Sequence, residues 1–369
     1  MICFALIAIS GVVLMAQVPL VKFGIPVKEG PMDSLRLKDY TPASSLIVPK
    51  THLAKARFPV IDAHSHASMN GIKTPADVDA WVKTMDETGI EMSVVFTEAT
   101  GPDFDRQADL FLKRYPKRLQ VWSGIDTNDI DAADYPQRAA RELERCFRKG
   151  ARGVGELTDK GWGLQSNEKD ALPRNKRLHL DDPRLDLFWR KCAELKMPAN
   201  VHIADHPANW KPLGPNQERS PDFQGFNLHG KDVPSYDELL ASRDRMLAKH
   251  PRTTFIFCHL SNIGNDTVAL AKTLDRYSNL YVDISARDYE IGRQPRTARA
   301  FLDRYRGRVL FGTDMGREKI MYEGWWRLLE TADEYIPGRI WWPYYGLELN
   351  VNTLKSLYRE TALKVLNFQ

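Results

Sequence analysis

His64 and His66 close an apolar run, 58-FPVIDAH, two residues apart. On an extended strand that spacing puts both imidazoles on one face, so two nitrogen donors converge. Four more residues of the same chemistry stand at the ends of later apolar runs. They are Glu156 in 151-ARGVGEL, His202 in 197-MPANVHIA, His259 in 253-TTFIFCHL and Asp314 in 308-RVLFGTDM. Imidazoles and carboxylates are ligands of divalent cations, and six of them around one cavity could hold one or two ions. Taken singly, each has a plainer reading. An H-x-H arises by chance, a strand histidine is commonly a hydrogen-bonded core residue, and an Asp after Gly-Thr can cap a helix. The set is more telling, because the donors recur at the same end of five different runs, where an unpartnered buried charge would be costly. The expected chemistry is a divalent metal, zinc by expectation, activating water. Asp314 then takes the water's proton, and His259 stabilises an oxyanion or ligates a second ion.

Donors on separate strands need a scaffold that brings strand ends together. Eight short apolar runs begin at 58, 91, 119, 151, 197, 253, 280 and 308. They are continuous and rich in β-branched and aromatic residues, as buried parallel strands are. Helical stretches separate them. Thr74-Pro75 opens one that stops at Gly89, Asp182-Pro183 opens another, and Ser235 opens a third that ends at His250-Pro251. This alternation predicts a (β/α)8 barrel with its site at the carboxyl ends of the strands. An open doubly wound sheet would carry a glycine-rich phosphate loop after the first strand, where His64-Ser65-His66 stands instead. The expected organisation is an N-terminal arm over 17–57 and a barrel over 58–369 with extra C-terminal helices. The long segment from Ala204 to Pro234 is expected to form a functional loop.

That loop and its neighbours offer candidates for substrate contact. Arg287 could pair with a substrate carboxylate, or structurally with Asp283 or Asp288. His206 and His229 could line an entrance, Asp205 could orient a ligand histidine, and Trp162, Trp210 and Phe223 could wall an apolar pocket. Arg293 and Arg317 read as structural, and His52, His179 and His250 fall outside the rim. The expected partner is a small molecule, with a carboxylate-bearing one suited to a cationic site. The aromatic stretch Trp341–Tyr345 could bury against a second copy as a homo-oligomer.

Bulk properties exclude other classes. The 369 residues are 43% hydrophobic and 27% charged, an ordinary globular composition. A net charge of +4 without long basic runs argues against nucleic-acid binding. Cys3, Cys146, Cys192 and Cys258 lack metal-knuckle spacing, although one Cys146–Cys192 bridge is compatible with their number. Residues 1–16 are apolar and end at Ala16, which reads as a signal peptide without a basic start. The expectation is a periplasmic or secreted protein with no stable membrane span, with a membrane anchor as the alternative.

The motifs 60-VIDAHSH, 154-VGEL, 200-NVHIADHP, 257-FCHLSN, 281-YVDISAR and 311-FGTDMG resemble the amidohydrolase superfamily over about residues 55–369. The resemblance is to its amidohydrolase-2 group of TIM-barrel metal-dependent hydrolases, which includes aminocarboxymuconate-semialdehyde decarboxylase. It implies that His64, His66 and Asp314 bind metal, and that His202 and His259 are ligands, or for His259 a catalytic residue. Many relatives bridge two metals with a carbamylated lysine on strand four. Here that place holds Glu156, as in TatD-like relatives, and Lys160 lies four residues on. The reading is a hydrolase of amides, lactones or esters. A metal-dependent decarboxylase of the same group is the first alternative, and a non-catalytic barrel that binds a ligand is the second.

Overall fold

The computed structural model describes residues 21–22, 25–26, 30–41, 43–67, 71–215, 217–219, 224–314, 317–338, 340 and 342–367. The signal-peptide stretch, Phe223 and Trp341 lie outside them. The chain divides into two compact units, Met1–Ile47 and Val48–Gln369. In the first, β1 (Val21–Lys22) pairs antiparallel with β2 (Ile25–Pro26), and a 3-10 turn spans Leu37–Asp39.

The second unit holds all eight expected strands. They are β3 (Val60–His66), β4 (Ile90–Phe96), β5 (Leu119–Trp122), β6 (Val154–Asp159), β7 (Ala199–Ile203), β8 (Phe255–Phe257), β9 (Leu280–Asp283) and β10 (Val309–Leu310). Strands β3 to β5 form one parallel sheet and β6 to β10 another. A parallel bridge from Ser123 to Val154 joins β5 to β6. On the other side the Ala63 amide donates to Phe311 O at 3.0 Å, and the Asp314 amide to His64 O at 2.9 Å. The ring is therefore closed, and every strand ends on the same rim. Gly312 permits this closure, since a Cβ there would stand 2.7 Å from the His64 Cβ.

Around the ring run α1 (Pro75–Thr88), α2 (Gly101–Leu112), α3 (Tyr135–Lys149), α4 (Asp186–Glu194), α5 (Tyr236–Lys249), α6 (Thr267–Arg276), α7 (Asp288–Ile291), α8 (Pro295–Arg304), α9 (Lys319–Glu330), α10 (Val351–Lys355) and α11 (Thr361–Val365). The expected starts hold for clear local reasons. Thr74 and Asp77 form a reciprocal capping box on α1, and Ser235 and Glu238 form one on α5. Gly89 ends α1 at φ 93°.

The core has two layers. A large one lies between the strands and helices, anchored by Trp81, Trp189 and Trp326. A smaller one fills the barrel with Ile61, Val94, Phe96, Trp122, Ile256 and Leu310, below the polar rim. Residues 48–57 belong to the barrel's unit, where Thr51 donates its amide and hydroxyl to Asp333 at 2.7 Å each. Cys146, Cys192 and Cys258 are buried free thiols, so no Cys146–Cys192 bridge forms. No helix among the described residues is long and apolar enough to cross a membrane.

Candidate metal centre

The first-strand histidines converge as their spacing requires. His64 Nε2 lies 3.2 Å from His66 Nε2, and both rings are buried. The Asp314 carboxylate stands 3.4 Å from the first and 3.1 Å from the second. Glu156, from β6, faces two ways. Its Oε2 is 3.4 Å from His66 Nε2, while its Oε1 is 2.7 Å from His202 Nδ1 and 3.3 Å from His259 Nε2. All six expected donors thus meet. Joined by Cys258, they form two groups that share Glu156: His64, His66, Glu156 and Asp314, and Glu156, His202, Cys258 and His259. In each group the donor atoms lie within 4.8 Å of one another.

Whether these residues suit a cation can be read from the far side of each ring. His64 Nδ1 is 3.0 Å from an Asp283 carboxylate oxygen, His66 Nδ1 is 2.6 Å from Glu98, and His259 Nδ1 is 2.8 Å from the Ser285 carbonyl. Carboxylates and carbonyls only accept, so each Nδ1 carries the hydrogen. Each Nε2 then turns a lone pair toward other electron-rich atoms. Such a cluster is repulsive unless a proton or a metal ion sits within it, and outer acceptors of this kind are what orient metal-binding histidines. The His202 Nε2, buried without a hydrogen-bond partner, faces Asp205 at 3.6 Å. The donor set therefore fits divalent cations.

The electrostatics agree. Burial opposes charge on His64, but Asp283 and Asp314 override it and push its pKa up to about 10. His66 is buried too, yet Asp314, Glu156 and Glu98 raise it to about 12. Without metal, protons occupy the cluster, and a metal ion would displace them. Burial together with Arg287 and His202 lowers His259 to about 4, which keeps it neutral. Burial favours a neutral Asp314, but His64, His66 and His259 hold its carboxylate well below the usual range.

Backbone strain collects on this rim. Glu98, Ala204, His259, Ala286 and Asp314 all have positive φ, between 49° and 59°. Each follows a strand, β4, β7, β8, β9 or β10. Such conformations cost a non-glycine residue roughly 1–2 kcal/mol and cluster at functional sites.

Above the donors lies a cavity of about 160 Å3 with His202, His259 and Asp314 exposed to it. Its walls carry Lys160, His206, Arg219 and Arg287. Lys160 Nζ is 3.1 Å from Asp205, which sustains its charge despite burial. Arg287 donates to Asn262 and lies 5.8 Å from the Tyr289 ring centroid. Its Nε lies 3.8 Å from Glu290 Oε2, while Asp283 is engaged with His64. Burial, then Arg219 and Arg287, lowers His206 to about 4. The Trp162 ring packs under the Arg177 guanidinium at 5.0 Å. Trp210 packs on Tyr236, and His229 faces the Trp210 carbonyl.

The sequence reading missed several residues that serve the site. Glu98 and Ser285 hold imidazoles, Cys258 joins the donors, and Lys160 and Arg219 line the cavity. Asp283, in the motif YVDISAR, reads from the sequence as an arginine partner and in the structure holds His64. Two residues carried a readable signal. Cys258 adjoins a donor, and Lys160 is one residue past a donor strand.

Comparisons with known proteins point the same way. A family model described as "Amidohydrolase" matches residues 61–368. No curated protein matches the sequence. Among solved structures, the chain is similar to 2,6-dihydroxybenzoate decarboxylase from Rhizobium, at 17% identity and TM-score 0.51 over 84% of this chain and 98% of that one. It is similar to dihydroxybenzoic acid decarboxylase from Polaromonas sp. JS666, solved with manganese and the inhibitor 2-nitroresorcinol, at 17% identity and TM-score 0.53 over 84% and 96%. A TIM-barrel protein of Bordetella bronchiseptica aligns at 16% identity and TM-score 0.51 over 84% and 98%. At these identities the structural likeness establishes the barrel.

Proposed function

The chain belongs to the amidohydrolase family, whose members are metal-dependent enzymes, and from that premise we propose that it hydrolyses a C–N or C–O bond in a small carboxylate-bearing amide, lactone or ester. The observation that carries this reading is Glu156, whose two oxygens face two different donor groups. A shared carboxylate in that position suits a pair of ions. His64, His66, Glu156 and Asp314 would hold one, and Glu156, His202 and His259 the other. When bound, such ions lower the pKa of water and polarise a carbonyl.

The chain's own residues supply the rest. Asp314 borders the cavity as an ionised carboxylate, so it can accept the proton of the attacking water and return it to the leaving group. Lys160 and Arg287 present positive charge to the same space, where a substrate carboxylate would dock and orient the scissile bond. Asp205 holds Lys160 in place. The proposed metal is zinc, and the proposed location is the periplasm or outside the cell, with residues 1–16 removed.

A panel of N-acyl amino acids and lactone carboxylates, assayed on metal-loaded enzyme by acid release, tests the reading. Chelator-sensitive acid release without carbon dioxide is the expected result. The cationic cavity wall also suits decarboxylation of an aromatic acid. Carbon dioxide release from such acids, with no hydrolysis across the panel, would overturn the hydrolytic reading.

A further inference from the structure

We propose that the Cys258 thiolate is a ligand of the second cation site, so that Glu156, His202, His259 and Cys258 form a four-donor centre distinct in kind from the all-nitrogen-and-oxygen group of His64, His66, Glu156 and Asp314. This rests on the two-ion reading above. Three observations support it. First, the Cys258 sulfur is buried 3.0 Å from Glu156 Oε1, the oxygen that also meets His202 and His259. Its distance to the other donor atoms of that group is within 4.8 Å. Second, strand period brings it there. Ile256 lies in the barrel interior layer, so Cys258, two residues on, faces the same interior one level higher, among the donors. An apolar side chain at that level would only continue the packing, whereas sulfur brings a ligand. Third, Cys146 and Cys192 lie on α3 and α4 and belong to the outer core, so Cys258 is the described cysteine placed at this rim.

A set of two imidazoles, a carboxylate and a thiolate matches the ligand types of four-coordinate zinc and favours softer ions than the first group does. The two positions would then discriminate between metals. Binding replaces the thiol proton by the ion, and that proton passes to solvent.

Cobalt(II) loading of the full chain tests this without reference to activity. Wild-type protein with two cobalt ions per chain should show a sulfur-to-cobalt charge-transfer band in the near ultraviolet. Cys258→Ser and Cys258→Ala should lose the band and bind the second ion about tenfold or more weakly, with the first unchanged. Two bound ions without the band in wild-type protein, or a band that persists in folded variants, would overturn the thiolate proposal and leave the Glu156 bridge standing. Fewer than two ions in wild-type protein would overturn the two-ion reading and this proposal with it. The wild-type band does not depend on whether either variant folds.

Discussion

The rim histidines are held from behind. His64, His66 and His259 each donate Nδ1–H to a fixed acceptor, and this aims Nε2 inward. Replacing an acceptor should therefore disturb metal affinity before it disturbs the fold. Glu98→Ala, at a half-exposed side chain, removes the acceptor and should weaken metal binding by about 10–100-fold with little change in Tm, read by competition with a chromophoric chelator. Unchanged affinity would mean that Glu98 does not orient His66. Asp314→Asn removes the proton acceptor while keeping the shape of the side chain. It should lower kcat by about 10³-fold on whichever substrate the wild type turns over, with metal still partly bound. A fully active Asp314→Asn would contradict the assigned role.

At the level of elements, the donors were legible because strand ends are. His64, His66, Glu156, His202, His259 and Asp314 each terminate an apolar run, and the runs became strands β3, β6, β7 and β8 and the segment after β10. The acceptors were not legible, because they come from elsewhere in the ring. Asp283 lies 219 positions from His64, and no local pattern pairs them. The cavity residue Arg219 belongs to a long loop whose course is set by tertiary contacts rather than by periodicity, whereas His206, in the same loop, is legible as an entrance residue and does line the cavity. Trp162 lies near the site in sequence, and its ring packs against the Arg177 guanidinium. The closure of β3 against the chain after β10 also depends on a feature of one residue. In Gly312→Ala the new methyl would meet the His64 Cβ at 2.7 Å, where neither backbone can yield cheaply. That variant should lose about 1–3 kcal/mol of stability by denaturant unfolding and also bind metal more weakly. Wild-type stability in Gly312→Ala would show that the ring is looser than drawn.

Across the whole molecule, the barrel unit begins at Val48 rather than at the first strand. The tie is Asp333, which accepts from the Thr51 amide, the Thr51 hydroxyl and, at 2.7 Å, Arg327 Nε. Burial alone would raise its pKa, but these three donors lower it. A carboxyl lowered in the folded state stabilises the fold above its unfolded pKa, near 4, and loses that contribution as the pH falls through the folded value. Asp333→Asn should therefore cost about 2 kcal/mol at pH 7, and the gap to wild type should narrow below about pH 4. A gap that is constant with pH would rule out this linkage.

The central claim is that one carboxylate, Glu156, serves two cation sites at the mouth of the barrel. Metal content per chain tests it most directly, by elemental analysis of protein purified without chelator or metal-affinity resin and then reconstituted with zinc. The account predicts two ions per chain in the wild type and fewer in Glu156→Ala. One ion or none in the wild type, after reconstitution, would contradict it.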